Sequence, residues 1–361
     1  MTDFRLVDPA ADDSLAALVA DSVRIGVDTE FMREKTYFAE LCLLQVATPN
    51  AIVCADPLGS APPEAFWQAL VEPEWVLHSA RQDIEVVFHT AGLMPRTIFD
   101  TQVAAALLGF KPQTGYAGLV KALFGIELDK AHTRADWSKR PLADAVLEYA
   151  AIDVQYLLPA YDELVGRLER AGRLDWAKED SADLLNPALY TTDPSQAIHR
   201  LKGARNLHGR ARAAAAALAA WREEQALRTN RPRQWIMRDK VVVEIALRCP
   251  ETVAELAAID GIQAKMMRRA GQRLLQLVTA ATHDPSGYRP PPRSDEQQKS
   301  IFRKMQHRVA SLAGELGIAA ELIAPRKELL AAMQGDREAR IFRGWRRALV
   351  GEELLQLLEI G

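Results

Sequence analysis

Apolar residues along this chain begin in short blocks and later settle into a helical period. Ile25, Gly26 and Val27 form a three-residue apolar run that reads as a buried strand. Glu40 to Thr48 and Ala51 to Ala55 read as two more strands, joined by the turn T-P-N. Pro62 to Val71 predicts a short helix and Trp75 to Leu77 a fourth strand, ending in His78 and Ser79. Arg81 to Ala91 predicts a helix stopped by Gly92, and Thr97 to Phe99 a brief strand. Asp100 then caps a helix running through Leu108, closed by Gly109. Tyr116 to Phe124 is another helix, ending at Gly125, and a polar loop, K-A-H-T-R-A-D-W-S-K-R-P, leads to one long helix from Leu142 to about Arg170. Strands first, then helices alternating with strands, make this part an α/β domain with a mixed sheet.

The pattern changes after Leu185. N-P-A-L-Y-T-T-D-P-S reads as a linker, and from Ile198 onward the period is almost wholly helical. A Pro-rich stretch at 284–294 divides this helical part into two blocks of similar size. The expected organisation is therefore an α/β domain over 1–190 and all-helical domains over 207–284 and 295–361.

A chain of 361 residues is too long for one ordinary core, which agrees with two or three domains. No apolar run approaches the ~20 residues of a membrane helix, and the opening M-T-D-F-R-L-V-D has no signal-peptide pattern, so a cytoplasmic protein is expected. Cys42, Cys54 and Cys249 are odd in number and widely spaced, as free thiols are, with no zinc spacing. Charge is unevenly placed within the net −3: residues 1–195 hold 16 Lys/Arg and 30 Asp/Glu, a balance of −14, while residues 196–361 hold 29 and 18, a balance of +11. An acidic half joined to a basic half suggests metal chemistry in one and a polyanion partner for the other.

The acidic half supplies candidates for that chemistry. Asp28 and Glu30 stand two apart at the end of the first strand, so both point to one face. Like charges so placed repel and resist burial; a hard divalent cation such as Mg²⁺ or Mn²⁺ would relieve them. The plain alternative is a strand ending in a solvated acidic loop. Asp83 sits in H-S-A-R-Q-D-I-E-V-V near the start of a helix, where a carboxylate is favoured by the helix dipole anyway. Tyr149 and Asp153, in E-Y-A-A-I-D-V-Q-Y-L-L, are four apart and share a helix face. Taken singly, each fits an ordinary amphipathic helix. Taken together, four carboxylates from separate segments can hold two divalent ions, and Tyr149 could aim an attacking water.

D-T-E-F, the Asp83 segment and Y-x-x-x-D resemble, in order and separation, the three motifs of the DEDD superfamily of 3′→5′ exonucleases, in its Tyr-containing branch. The likeness to the ribonuclease D family is closer. W-S-K-R-P-L at 137–142 resembles that family's loop before the last catalytic helix, and 207–282 and 295–361 resemble two HRDC domains, the second through A-P-R-K-E-L-L and G-W-R-R-A-L-V-G. The resemblance implies a ribonuclease H-like exonuclease fold followed by helical HRDC-type domains. It implies that Asp28 bridges two ions, that Glu30 and Asp153 serve the one on the nucleophile side, and that Asp83 serves the other. It further implies an exoribonuclease releasing nucleoside 5′-monophosphates from transfer-RNA precursors or other structured RNA; with no stretch that reads as a dedicated interface helix, a monomer is expected. A 3′→5′ DNA exonuclease and a catalytically idle RNA-binding adaptor are the rivals.

For RNA contacts the candidates are Phe31 and Met32 as a wedge against the terminal base, His78 near a phosphate, and Arg233, Arg268 and Arg346 from three basic clusters of the second half. Trp221, Trp235 and Trp345, at helical spacings, are expected in the core. Every proposed ligand precedes residue 186, so the first part alone is expected to hold a complete site.

Overall fold

A computed structural model describes residues 3–129, 135–283 and 296–359. Its sheet is assembled from six strands: β1 (Arg5–Val7), β2 (Arg24–Met32), β3 (Glu40–Ala47), β4 (Ile52–Ala55), β5 (Glu74–Leu77) and β6 (Ile98–Asp100). They lie in the order β1-β4-β3-β2-β5-β6. β2, β3 and β4 form an antiparallel meander; β1 adds parallel to β4, and β5 and β6 add parallel beyond β2. The sheet is thus mixed, and β2 lies inside it. After its first residue β3 is buried throughout, as an inner strand covered on both faces should be.

Helices α1 (Ser14–Ala20), α2 (Glu64–Val71), α3 (Arg81–Ala91), α4 (Thr101–Leu107) and α5 (Tyr116–Phe124) connect and flank these strands. Gly92 and Gly125 end α3 and α5 in the left-handed conformation that glycine adopts without strain. The single long helix expected to Arg170 is instead two, α6 (Asp144–Gln155) and α7 (Leu157–Arg170), meeting at Tyr156. Pro159 explains the interruption: it has no N–H to give the carbonyl four residues back, which is that of Gln155. Leu157 begins α7 directly over Gly26 of β2, where a Cβ would lie 3.1 Å from the Leu157 Cβ.

The chain divides into two compact units, one comprising residues 1–32, 40–190 and 293–361, the other 33–39 and 191–292. In the first unit, α8 (Leu174–Ala182) follows α7, and the block after residue 295 joins the same core rather than standing apart. That block contains α14 (Glu296–Leu316), α15 (Ala320–Ile323), α16 (Arg326–Met333) and a helical run over 344–359. One apolar cluster contains Phe99, Leu107 and Leu164 from the α/β part and Met305, Ile341 and Trp345 from the later block. Trp345 stacks on Trp176 at 4.5 Å and donates its indole N–H to Asp180. Arg346 is wholly buried beside it, in a two-pronged ion pair with Asp180 at 2.5 and 2.7 Å. Arg173 donates to the carbonyls of Leu107 and Leu316, both at 2.7 Å.

The second unit has its own core, built from the α9 (Gly209–Thr229), α11 (Asp239–Arg248) and α13 (Ala264–His283) helices with the shorter α10 (Arg233–Ile236) and α12 (Val253–Ala257). Arg222 is fully buried in it and bonds the Met237 carbonyl and Asp239. Residues 33–39 belong here too: the Tyr37 hydroxyl donates to Glu223 at 2.5 Å, and Asn230 receives the N–H groups of Tyr37 and Phe38. The expected Pro-rich linker at 284–294, and residues 130–134 of the polar loop, fall outside the described residues.

Candidate active site

β2 runs on through Met32, so Asp28 and Glu30 lie within an internal strand rather than at its end. Their cross-strand partners on β3 are Gln45 and Leu43, and the register shifts just after Glu30. α6 crosses this part of the sheet and brings Asp153 to the pair: ligand-type oxygens of Asp28, Glu30 and Asp153 all lie within 4.8 Å of one another. Asp83, in the first turn of α3, stands outside that group of three but lines the same cavity of about 330 Å³. Its Oδ1 accepts from the Thr29 N–H at 3.1 Å and the Thr29 hydroxyl at 2.6 Å, which ties α3 to β2 between the two strand acids.

Burial, joined for the two strand acids by repulsion from their neighbours, raises the pKa of all four acids. Burial and then the neighbouring Asp83, Asp153 and Glu30 drive Asp28 well above the ordinary carboxylate range. Glu30 rises to about 8, first from burial and then from Asp153 and Asp83. Burial lifts Asp83 and Asp153 to about 7 each, with hydrogen bonds from Thr29 and Tyr149 respectively working in the opposite direction. The Tyr149 hydroxyl donates to Asp153 one turn later, and burial keeps that phenol protonated far past neutrality. Such a crowd of buried oxygens fits a divalent cation, which replaces the missing counter-charge with direct ligation.

Several supporting residues carried no sequence signal beyond their type. Asp100 caps α4 as expected, accepting from Gln102 and Val103, but its carboxylate also takes the N–H groups of Ser79 and Ala80. This holds Ser79 at φ +64°, a left-handed conformation costly for a non-glycine residue, just before α3 and Asp83. Tyr116, the first residue of α5, reaches the α6–α7 junction: its hydroxyl accepts from Tyr156 N–H at 2.9 Å and donates to the Ile152 carbonyl at 3.3 Å. Its ring also lines the cavity.

His78 lies on the cavity wall, but both ring nitrogens are engaged, Nδ1 with the Thr101 hydroxyl and Nε2 with the Thr114 carbonyl, each at 2.9 Å. Burial lowers its pKa against the pull of Asp100, and Nε2 carries the hydrogen that bonds the Thr114 carbonyl. Its place is therefore to fix the chain leading into α5. Phe31 lines the cavity, whereas Met32 packs beside the apolar cluster that contains Trp137. Trp137 is buried 6.4 Å from the Tyr149 ring, and Arg140 of the same loop clasps Asp56 at 2.5 and 2.7 Å. Cys42 and Cys54 are free and buried, their thiols pushed up to about 11 and about 12.

Of the three basic candidates, Arg346 is a correction. Its guanidinium lies inside the core against Asp180, with no surface to offer a phosphate. Arg233 is partly exposed with Glu223 at 3.7 Å, and Arg268 is exposed on α13. Trp345 lies in the core as expected, whereas Trp235 is 62% exposed.

Residues 8–169 match a family model described as 3′-5′ exonuclease, and residues 211–278 match the HRDC domain. Ribonuclease D of Acidiphilium cryptum is 39% identical over 358 residues, covering 96% of this chain and 91% of that protein. This chain belongs to the ribonuclease D family. Ribonuclease D of Gluconacetobacter diazotrophicus is 37% identical, covering 92% of this chain and 87% of its own. The crystal structure of Escherichia coli RNase D, an exoribonuclease involved in structured RNA processing, covers 99% of both chains with a TM-score of 0.87 and 28% identity. As a member of the ribonuclease D family, the chain is a 3′→5′ exoribonuclease of a metal-dependent class, with one matched HRDC domain in its second unit.

Proposed function

We propose that this enzyme trims the 3′ ends of structured RNAs, transfer-RNA precursors among them, and releases nucleoside 5′-monophosphates. Asp28, Glu30, Asp83 and Asp153 would hold two divalent ions, Mg²⁺ or Mn²⁺. When bound, such ions supply a nucleophile at neutral pH and offset charge on the scissile phosphate. The observation that carries the reading is the convergence of four acids from β2, α3 and α6 on one cavity, three of them with oxygens within 4.8 Å. Nothing in the fold calls for crowding these acids together, and a bound divalent cation would relieve their repulsion.

The remaining work falls to the chain's own groups. Tyr149, protonated throughout the physiological range, is a donor rather than a base and can orient a water beside Asp153. Phe31, at the cavity wall, offers an apolar face to a terminal base. Thr29 and Asp100 hold Asp83 in register with β2. The role of the E. coli relative in structured RNA processing supports the choice of substrate.

Labelled single-stranded RNA and DNA of one sequence, incubated with and without Mg²⁺, test the reading. Expected are mononucleotides from RNA, only with metal, and none from an Asp28→Asn chain. Preferential digestion of DNA would favour the DNA exonuclease, and binding without cleavage the idle adaptor.

A further inference from the structure

β3 runs inside the sheet and, after Glu40, is built from Leu, Cys, Val and Ala with one exception. The exception is Gln45. It is wholly buried, and neither its amide nitrogen nor its amide oxygen has a hydrogen-bond partner among the described residues. A buried amide without partners is destabilising, and an apolar side chain of the same shape would serve the core better. The position thus keeps a polar group that packing does not call for.

The strand register says what that group is near. Gln45 pairs directly with Asp28 on β2 and with Cys54 on β4. Side chains directly opposite in an antiparallel ladder project from the same face, with Cβ atoms about 4.5–5.5 Å apart. The Gln45 amide, carried one methylene beyond its Cβ, is therefore within reach of the Asp28 carboxylate. Competing partners are few. Backbone groups of β2, β3 and β4 are spent on the ladder here. Cys54 offers only a weak thiol. Leu43 and Cys54 share an apolar cluster with Leu147, Ala150 and Ala151, so α6 covers this strip with apolar groups. Gln45 has no exposed surface and does not line the cavity, so substrate does not meet its amide.

We propose that Gln45 is a positioning residue for Asp28: its amide N–H bonds a carboxylate oxygen of Asp28 and fixes the orientation in which that acid meets a divalent ion. This role presupposes the four acids as ion ligands, as proposed above. A carboxylate that ligates a cation is a strong acceptor, and folding has already desolvated the amide that would meet it. Ligating carboxylates generally take such a bond from a neighbour, and losing that neighbour typically costs about 10- to 100-fold in metal affinity. Gln45 acts through Asp28 and touches no reacting atom.

Gln45→Met keeps the length of the side chain and removes both polar atoms. In EDTA its urea midpoint should equal or exceed the parent's, because an unpaired amide has gone. The Mg²⁺ or Mn²⁺ concentration giving half-maximal thermal stabilisation should nevertheless rise about 10- to 100-fold. Gln45→Leu should repeat both results. A plain packing role predicts the reverse pattern, lower stability in EDTA with an unchanged ion requirement. The proposal is overturned by a clear drop in urea midpoint for both variants, or by an ion requirement within about two-fold of the parent's. Asp28→Asn, run alongside, separates this role from the ligand assignment. If it loses the metal response while Gln45→Met keeps it, the four acids stand and Gln45 is only a filler. If Asp28→Asn itself keeps the parent's response, the ligand assignment fails and the role of Gln45 falls with it.

Discussion

The hydroxyl of Tyr116 stands where the N–H of Tyr156 would otherwise meet the helix carbonyl four residues back. It accepts from that N–H at 2.9 Å and donates its own hydrogen bond to the Ile152 carbonyl at 3.3 Å. One oxygen thus keeps this rung of the helical ladder open, next to the break at Pro159 and beside Asp153, the first of the three residues between those two groups. Tyr116→Phe keeps the ring on the cavity wall and removes only that oxygen, so the ladder is free to close and shift the Asp153 carboxylate. Turnover on a short RNA should fall roughly 10- to 100-fold, as misplacements of about 1 Å do, with KM nearly unchanged. The Mg²⁺ concentration giving half-maximal thermal stabilisation should rise as well. Unchanged turnover and unchanged metal response would make Tyr116 only a wall.

The four acids set a pH dependence whose sign is unusual for carboxylates. Their folded pKa values, about 8 for Glu30 and about 7 for Asp83 and Asp153, exceed the ~4 of an unfolded carboxyl, so the folded state holds more protons between those limits. Their contribution to stability is therefore present below about pH 4 and is lost as pH rises through about 7 to 8. In EDTA, the part of the melting temperature that depends on these groups should fall from about pH 5 to pH 8, and Mg²⁺ or Mn²⁺ at the higher pH should restore it. Asp28→Asn should flatten both responses. Scanning calorimetry across that range decides it; a parent and variant with parallel curves would dismiss the electrostatic picture.

Tyr149 should separate turnover from metal binding. Its hydroxyl bonds Asp153 but is not among the clustered carboxylates. Tyr149→Phe should cut turnover by roughly 10²–10⁴-fold while the metal-induced rise in melting temperature survives. Loss of that rise would make the tyrosine part of the metal-holding set instead.

The buried pair of Asp180 and Arg346 should behave as a structural lock. Leaving either charge without its partner in the core should cost about 3–5 kcal/mol, since both side chains are nearly wholly enclosed. Urea unfolding of Asp180→Asn, Arg346→Met and the double variant reads this. The double variant should lose clearly less than the sum of the singles. Additive losses would mean the two side chains do not act together.

Much of this was legible from residue order. Strands β2 to β6, the cap at Asp100 and the glycine stops reveal themselves through local chemistry, and three of the acids through their spacing on one strand and one helix turn, whereas β1 and α1 were missed. What was hidden depends on distant partners. Arg346 sits in a run of basic residues and looks solvated; only Asp180, 166 residues away, makes it a core residue. Trp235 and Trp345 stand in similar helical surroundings, yet one is exposed and the other buried, and neither neighbourhood says which. Pro159 did mark the α6–α7 break, but its effect falls four residues upstream, inside an uninterrupted helical pattern.

The apolar cluster shared by the α/β part and residues 296–359 bears on how the enzyme comes into being. During synthesis the acids from Asp28 to Asp153 emerge first, then the whole of the second unit, and only afterwards Met305, Ile341 and Trp345. Until those arrive, Leu164, Trp176 and the buried Asp180 lack their covering. A nascent chain can therefore carry all four clustered acids and still lack a finished core. The α/β part is thus completed by the residues made last.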